Sequence, residues 1–139
     1  MSDIGVLPGN VAALDPASLA TYLDHIRVGF CLYNPQGQLV ICNAPHLGFF
    51  KSIEHIFVPG ALGQDIHDVI LQSGVLRSSI EAQAKFTWIV PKDRCEAKRS
   101  FEVELSDGHW IRVDEELTEN NFLVETTSDI TELKAKEQA

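Results

Sequence analysis

Chemistry in this 139-residue chain would have to come from five histidines, three cysteines and a few closely spaced carboxylates. Cys31, Cys42 and Cys95 are odd in number and widely spaced, which fits neither a disulfide framework nor a zinc pattern. His25, His46, His55 and His109 are scattered without metal-ligand spacing. There is no glycine-rich phosphate loop, no serine in a nucleophile-elbow context and no histidine paired by pattern with a metal-binding carboxylate. Asp65 and Asp68 are three residues apart at the start of an expected helix, where they serve the helix dipole. Glu102 and Glu104 alternate along an expected strand as a wetted face. The residues therefore argue against an enzyme. Asp129 is different in kind: it stands where a strand passes into a helix, so its carboxylate can accept bonds from the unpaired N–H groups of the starting helix, and Thr131 can help fix the turn.

The chain is long enough for one domain and can bury roughly two-thirds of its unfolded surface. Its apolar fraction of 45% and charged fraction of 22% are ordinary globular values. A net charge of −9, from 20 acidic and 11 basic residues, repels phosphate backbones and anionic lipid. Nucleic-acid binding is thus not expected. No stretch approaches about 18 consecutive apolar residues, and no basic region followed by an apolar core opens the chain. With the cysteine pattern, this predicts a cytoplasmic piece without membrane contact.

The elements follow from spacing. Asp15-Pro16 supplies a cap and a first-turn proline, and Leu19, Leu23 and Ile26 recur behind it at helical spacing. Val28 to Tyr33 and Leu39 to Cys42 form a hairpin around Asn34-Pro35-Gln36-Gly37. Short helices are expected from His46 to Phe57, and another from Gly63 to Gln72 with Ile66, Val69 and Ile70 as its buried stripe. Ser78-Ser79-Ile80-Glu81 has capping-box spacing and opens a helix carrying Ile80, Ala84 and Trp88 as far as Pro91. Lys92 to Arg99 reads as a connector. Alternation then takes over: Phe101, Val103 and Leu105 before the Ser106-Asp107-Gly108 turn, Ile111, Val113 and Leu117 after it, and a last strand from about Asn121 to Thr127. Two strands, then helices, then three strands indicate an α+β domain.

The run from Val28-Gly29-Phe30 through Asn34-Pro35-Gln36-Gly37 to Ile41-Cys42-Asn43 resembles the opening hairpin of the PAS family, with Gly29, Gly37 and Asn43 at habitual positions. Asp107-Gly108-His109-Trp110-Ile111-Arg112-Val113 is similar to a late turn and strand of that family, and Asp129-Ile130-Thr131 to its closing motif. Phe57-Val58-Pro59-Gly60 resembles a subgroup often joined to bacterial histidine kinases of two-component systems and to cyclic-dinucleotide enzymes such as diguanylate cyclases. The resemblance implies a five-stranded antiparallel sheet with short helices over one face. It divides the chain into a lead-in (1–14), a sensor domain (15–128) and the start of a signalling helix (129–139), which the elements place at Ile130 to Gln138.

Among cofactors, the resemblance raises flavin and haem, and the residues argue against both. No cysteine stands in the helical asparagine-cysteine-arginine context of the flavin photoreceptors. His67 falls on the helix that lines the pocket of haem-binding relatives, yet spacing puts it on the polar side of Ile66, Val69 and Ile70. A small-molecule ligand stays open. The resemblance further implies a homodimer and a covalently linked output domain, with Asp129, Ile130 and Thr131 as the relay. Leu19, Leu23 and Ile26 either cover the sheet or join a second copy. Trp110 and Arg112 share one strand face, with Glu102 and Glu104 expected opposite: either a cross-strand ion pair of the arginine or a docking surface for the first helix or a partner. The reading is a sensory or interaction module that passes ligand binding or dimer rearrangement to an output. Its rivals are a constitutive, ligand-free dimerisation module and, more distantly, a small pocket enzyme.

Overall fold

The structure, a computed structural model, describes residues 16–77 and 80–138. The lead-in, the Asp15 cap and the two serines of the capping box lie outside the described residues. In chain order the elements are α1 (Pro16–Leu23), β1 (Gly29–Tyr33), β2 (Leu39–Cys42), α2 (Ala44–Phe49), a 3-10 helix (Lys51–Ile56), α3 (Gly63–Gln72), α4 (Ile80–Lys85), a 3-10 turn (Pro91–Asp93), β3 (Lys98–Glu104), β4 (Trp110–Leu117), β5 (Leu123–Asp129) and α5 (Thr131–Gln138).

The strands form one antiparallel sheet in the order β2-β1-β5-β4-β3. The last strand to be made therefore lies in the middle. Alternation decides which side chains face the helices: Cys31 and Tyr33 from β1, Leu39 from β2, Val103 from β3, Ile111 and Val113 from β4 and Leu123 from β5 are all buried. Phe50, Phe57, Ile66, Ile70, Phe86 and Trp88 close the core from the other side. Each large apolar side chain buried this way contributes roughly 1.5–3 kcal/mol.

Asn43 joins three elements. Its Oδ1 accepts from His46 N (3.2 Å) and Phe30 N (2.8 Å), and its Nδ2 donates to Leu23 O (2.9 Å) and Val28 O (3.0 Å). It caps α2 and ties that helix to β1 and the end of α1. Two glycines permit the packing around it. A Cβ on Gly29 would lie 2.9 Å from His46 Cα, so α2 sits directly on β1. A Cβ on Gly63 would lie 2.2 Å from the Trp88 ring.

Three expectations need correction. The helix after Ser79 stops at Lys85, short of Trp88: Thr87 donates from its hydroxyl to Ala84 O (2.8 Å), closing the last turn. Extended chain then carries Trp88 inward, where its ring meets Tyr33 at 5.0 Å. Lys98 and Arg99 belong to β3 and not to a connector, because they pair with Glu116 and Glu115 across β4. β5 runs on to Asp129, and α5 begins at Thr131, one residue later than spacing predicts.

Candidate functional site

Two constellations stand out, one at the exit of the domain and one inside it. At the exit, Asp129 Oδ1 accepts from both the amide (2.9 Å) and the hydroxyl (2.6 Å) of Thr131. The same Thr131 Oγ1 accepts from Trp110 N (3.0 Å), and Ile130 N donates to Trp110 O (2.9 Å). The junction is thus bonded to β4 through both polar atoms of one residue's backbone. These bonds outweigh the desolvation that would raise the Asp129 carboxyl and hold it below its ordinary value.

Helix α5 then turns back over the outer face of the sheet. Lys134 Nζ pairs with Glu102 Oε1 at 2.6 Å and lies 4.8 Å from the Trp110 ring centroid. Register places Glu102 opposite Arg112 and Glu104 opposite Trp110, as alternation predicts. The ionic partners differ, however: Arg112 pairs with Asp114 on its own strand (3.1 Å), and Glu104 pairs with Arg77 (3.0 Å). Trp110 thus receives the last helix, through Lys134. Leu19 and Ile26 are each 40% exposed and Leu23 is half-buried, so α1 leaves apolar surface uncovered.

Inside the domain, one register row crosses all five strands: Cys42 beside Cys31, Cys31 beside Glu125, Glu125 beside Glu115, and Glu115 beside Arg99. Directly paired residues share a face, so the row points into the core. Glu115 and Glu125 are 4% and 7% exposed. Burial pushes the Glu125 carboxyl well above the usual carboxylate range, and the adjacent Glu115 charge adds to it, so Glu125 keeps its proton and hydrogen-bonds Glu115. For Glu115 burial works the same way but is outweighed by that bond and by two guanidinium groups, which hold it low. Arg94 Nη1 lies 2.8 Å and Arg99 Nε 3.5 Å from Glu115 Oε1. Arg94 is further held by Ile89 O (2.8 Å) and by the Trp88 ring (5.1 Å), yet its buried Nη2 has no partner.

Two imidazoles face this row. His67, expected on the polar side of α3, is 4% exposed. Its Nδ1 donates to Gly63 O (2.9 Å), and its ring packs on Trp88 (4.8 Å) and Phe86 (5.8 Å). His46 is 2% exposed, packed between Phe50 (5.1 Å) and Phe57 (4.7 Å), with neither ring nitrogen hydrogen-bonded. Burial pulls His67 down to about 4 and His46 to about 3, so both rings are neutral at pH 7.

This surrounding does not fit the cofactors that the fold raises. A haem on His67 would need open space at the ring, which is instead packed against Trp88 and Phe86 and lies within 4.8 Å of the Glu115 and Glu125 carboxylates. Cys31 and Cys42 are on strands and Cys95 is in the exposed loop before β3, so no cysteine stands on a helix as flavin adduct chemistry requires. A separate apolar groove of about 620 Å³ runs beside edge strand β2, lined by Leu39, Ile41, Cys42, Leu47 and Phe57 among others.

The sheet order, the helices gathered over one face and the exit helix leaving the central strand define an α+β domain of the PAS type. A profile of the PAS fold matches residues 23–138, and the chain belongs to the PAS family. It is 27% identical over 121 residues to the non-motile and phage-resistance protein of Caulobacter vibrioides, a stretch that covers 84% of this chain and 12% of that protein. Similar solved structures include the PAS domain of a Colwellia psychrerythraea protein, with TM-score 0.45, 16% identity and coverage of 84% of this chain and 97% of that one. Another is the PAS domain of nitrogen regulation protein NR(II) from Vibrio parahaemolyticus, with TM-score 0.40, 8% identity and coverage of 81% and 97%. No helix among the described residues is long and apolar enough to cross a membrane.

Proposed function

We propose that this domain is a non-catalytic, cytoplasmic sensory or interaction module that hands a rearrangement of its core, or of its packing in a homodimer, through α5 to an output domain in a larger signalling protein. The observation that carries this reading is the double attachment of the exit to β4, Thr131 Oγ1 to Trp110 N and Ile130 N to Trp110 O. β4 also carries Ile111, Val113 and Glu115 into the core, so one strand touches both the interior and the exit helix. A ligand or partner that binds one packing arrangement better than another shifts the population, and the strand moves the helix with it. The histidine kinases and cyclic-dinucleotide enzymes to which the subgroup is joined are the outputs this reading favours. The unpaired cysteines are consistent with a reducing compartment.

Replacing Asp129 with alanine removes the cap and costs about 1 kcal/mol, leaving the domain folded. In the intact protein the basal output or its response to stimulus is expected to change severalfold. Unchanged output from a folded variant refutes the relay role.

A second reading, a constitutive dimerisation module without ligand, draws on the exposed apolar residues Leu19 and Ile26 near one end of the domain and Leu133 on α5. In that reading the terminal helices alone set the output.

A further inference from the structure

We propose that Cys31, His46 and Glu125 bind a divalent transition-metal ion, zinc by donor chemistry, in the core of the domain. One ligand atom from each of the three lies within 4.8 Å of the others, and all three residues are buried. Zinc bonds of about 2.0–2.3 Å separate tetrahedral ligands by roughly 3.3–3.8 Å, so the side chains need to close by only about 1 Å. Thiolate, imidazole and carboxylate are the donors zinc takes, and a water completes the four.

The observation that points to a ligand, and not merely to a polar core, is His46. An imidazole this buried, with neither nitrogen hydrogen-bonded, carries a desolvation cost that nothing else around it offsets. Its neighbours Phe50 and Phe57 offer only ring edges and faces. A metal ion supplies the missing partner. The ring is also rigidly presented: α2 is capped by Asn43 and pressed on Gly29, which fixes His46 over β1 beside Cys31.

Charge balance favours a divalent ion. Binding expels the Cys31 thiol proton and the Glu125 proton to solvent, so thiolate and carboxylate offset the two positive charges and His46 stays neutral. Glu115 does not compete, because Arg94 and Arg99 already match it. A second triad, His67, Glu115 and Glu125, shares Glu125. With its Nδ1–H held by Gly63 O, His67 keeps its lone pair on Nε2, the arrangement of a metal-ready imidazole. Since Glu115 is committed elsewhere, this triad supports the site and does not form another.

The test uses the purified chain, stripped with chelator and titrated with Co²⁺ followed by Zn²⁺ competition. One equivalent of Co²⁺ is expected, with a thiolate-to-cobalt charge-transfer band that Zn²⁺ abolishes. Cys31→Ser and His46→Gln should each weaken binding by more than the roughly 10–100-fold that loss of a second-shell partner costs, whereas Cys95→Ser, at the exposed thiol, should leave it unchanged. Should either variant fail to fold, the wild-type chain decides alone: Zn²⁺ must raise its thermal midpoint above that of the stripped protein. No bound Co²⁺ in the wild type, a band that vanishes with Cys95→Ser, or a thermal midpoint indifferent to Zn²⁺ overturns the assignment.

Discussion

Replacing Arg94 with alanine is expected to lower the unfolding free energy by about 3 kcal/mol, read from urea denaturation. The loss comes less from the missing bond than from what is left behind. The Arg94 and Glu115 side chains are 7% and 2% exposed, and Glu115 is the ionised member of a carboxylate pair. Without Arg94 it is a buried charge whose remaining cation, Arg99, is 3.5 Å away and more exposed. That remaining contact puts the effect at the lower end of the range for breaking a buried pair. Adding Glu115→Gln to the Arg94→Ala variant should recover a large part of the loss, because the orphaned charge is gone while the amide still bonds Glu125. A single-variant loss below about 1 kcal/mol would mean that the pair is effectively solvated.

The second large effect is a loss of stability on mild acidification of the metal-free protein. His46 and His67 titrate near 3 and 4 in the folded domain, below the ordinary 6.5 of an exposed ring. The unfolded chain therefore takes up protons that the folded chain refuses, and stability falls as pH drops below about 6.5. Glu125 works in the opposite direction, since its folded value is raised and its unfolded carboxyl is ionised above about 4.5. Two imidazole protons taken up by the unfolded chain against the one that Glu125 keeps in the folded chain leave a net that grows from near zero at pH 6.5 to about one near 5.5, a slope of about 1.4 kcal/mol per pH unit there. Towards 4.5 the slope steepens, until near pH 4 the folded His67 ring takes up its own proton. Glu125 is then neutral in both states, and Glu115, whose folded value is depressed, begins to lose its contribution. Arg94 and Arg99 stay charged throughout. Urea midpoints at half-unit steps from pH 7.5 to 4.5 give the profile, and a flat line across 6.5–4.5 would show that the two rings are not held neutral.

Much of the exit was legible in the sequence. A capping aspartate, a threonine two residues on and a strand before them are local features, and local hydrogen bonds follow local sequence. That Trp110 receives both bonds from the junction was not legible, because it depends on β4 lying beside β5. The sheet face of Trp110 and Arg112 followed from alternation, but that the last helix lays Lys134 on it was not legible, since either terminal helix or a partner could reach it.

The buried row shows a different gap. Ile111, Val113 and Leu117 were read as the inward set of β4, and the same parity places Glu115 among them. Likewise Leu123 and Thr127 imply an inward Glu125 on β5. The signal was present in the alternation and was overridden by the ordinary preference of glutamate for water. What the sequence could not supply was the pairing of β4 with β5, which sets the two carboxylates side by side, or the approach of Arg94 from outside the sheet. His67 was misplaced for a similar reason. On α3 it adjoins Ile66 and sits one turn after Gly63, whose missing side chain makes room for Trp88 and so turns that flank of the helix inward.

The claim that the core speaks to the exit helix through β4 is tested most directly by the amide chemical shifts of Trp110, Ile130, Thr131 and Lys134 in the chain carrying Glu125→Gln. The substitution alters the core pair without touching the junction. The account predicts that all four resonances move, and that the Lys134 response disappears when Thr131 is also replaced by valine, which cuts the hydroxyl link between Trp110 and Asp129. Shift changes confined to the neighbours of Glu125 and ending before Asp129 would contradict it.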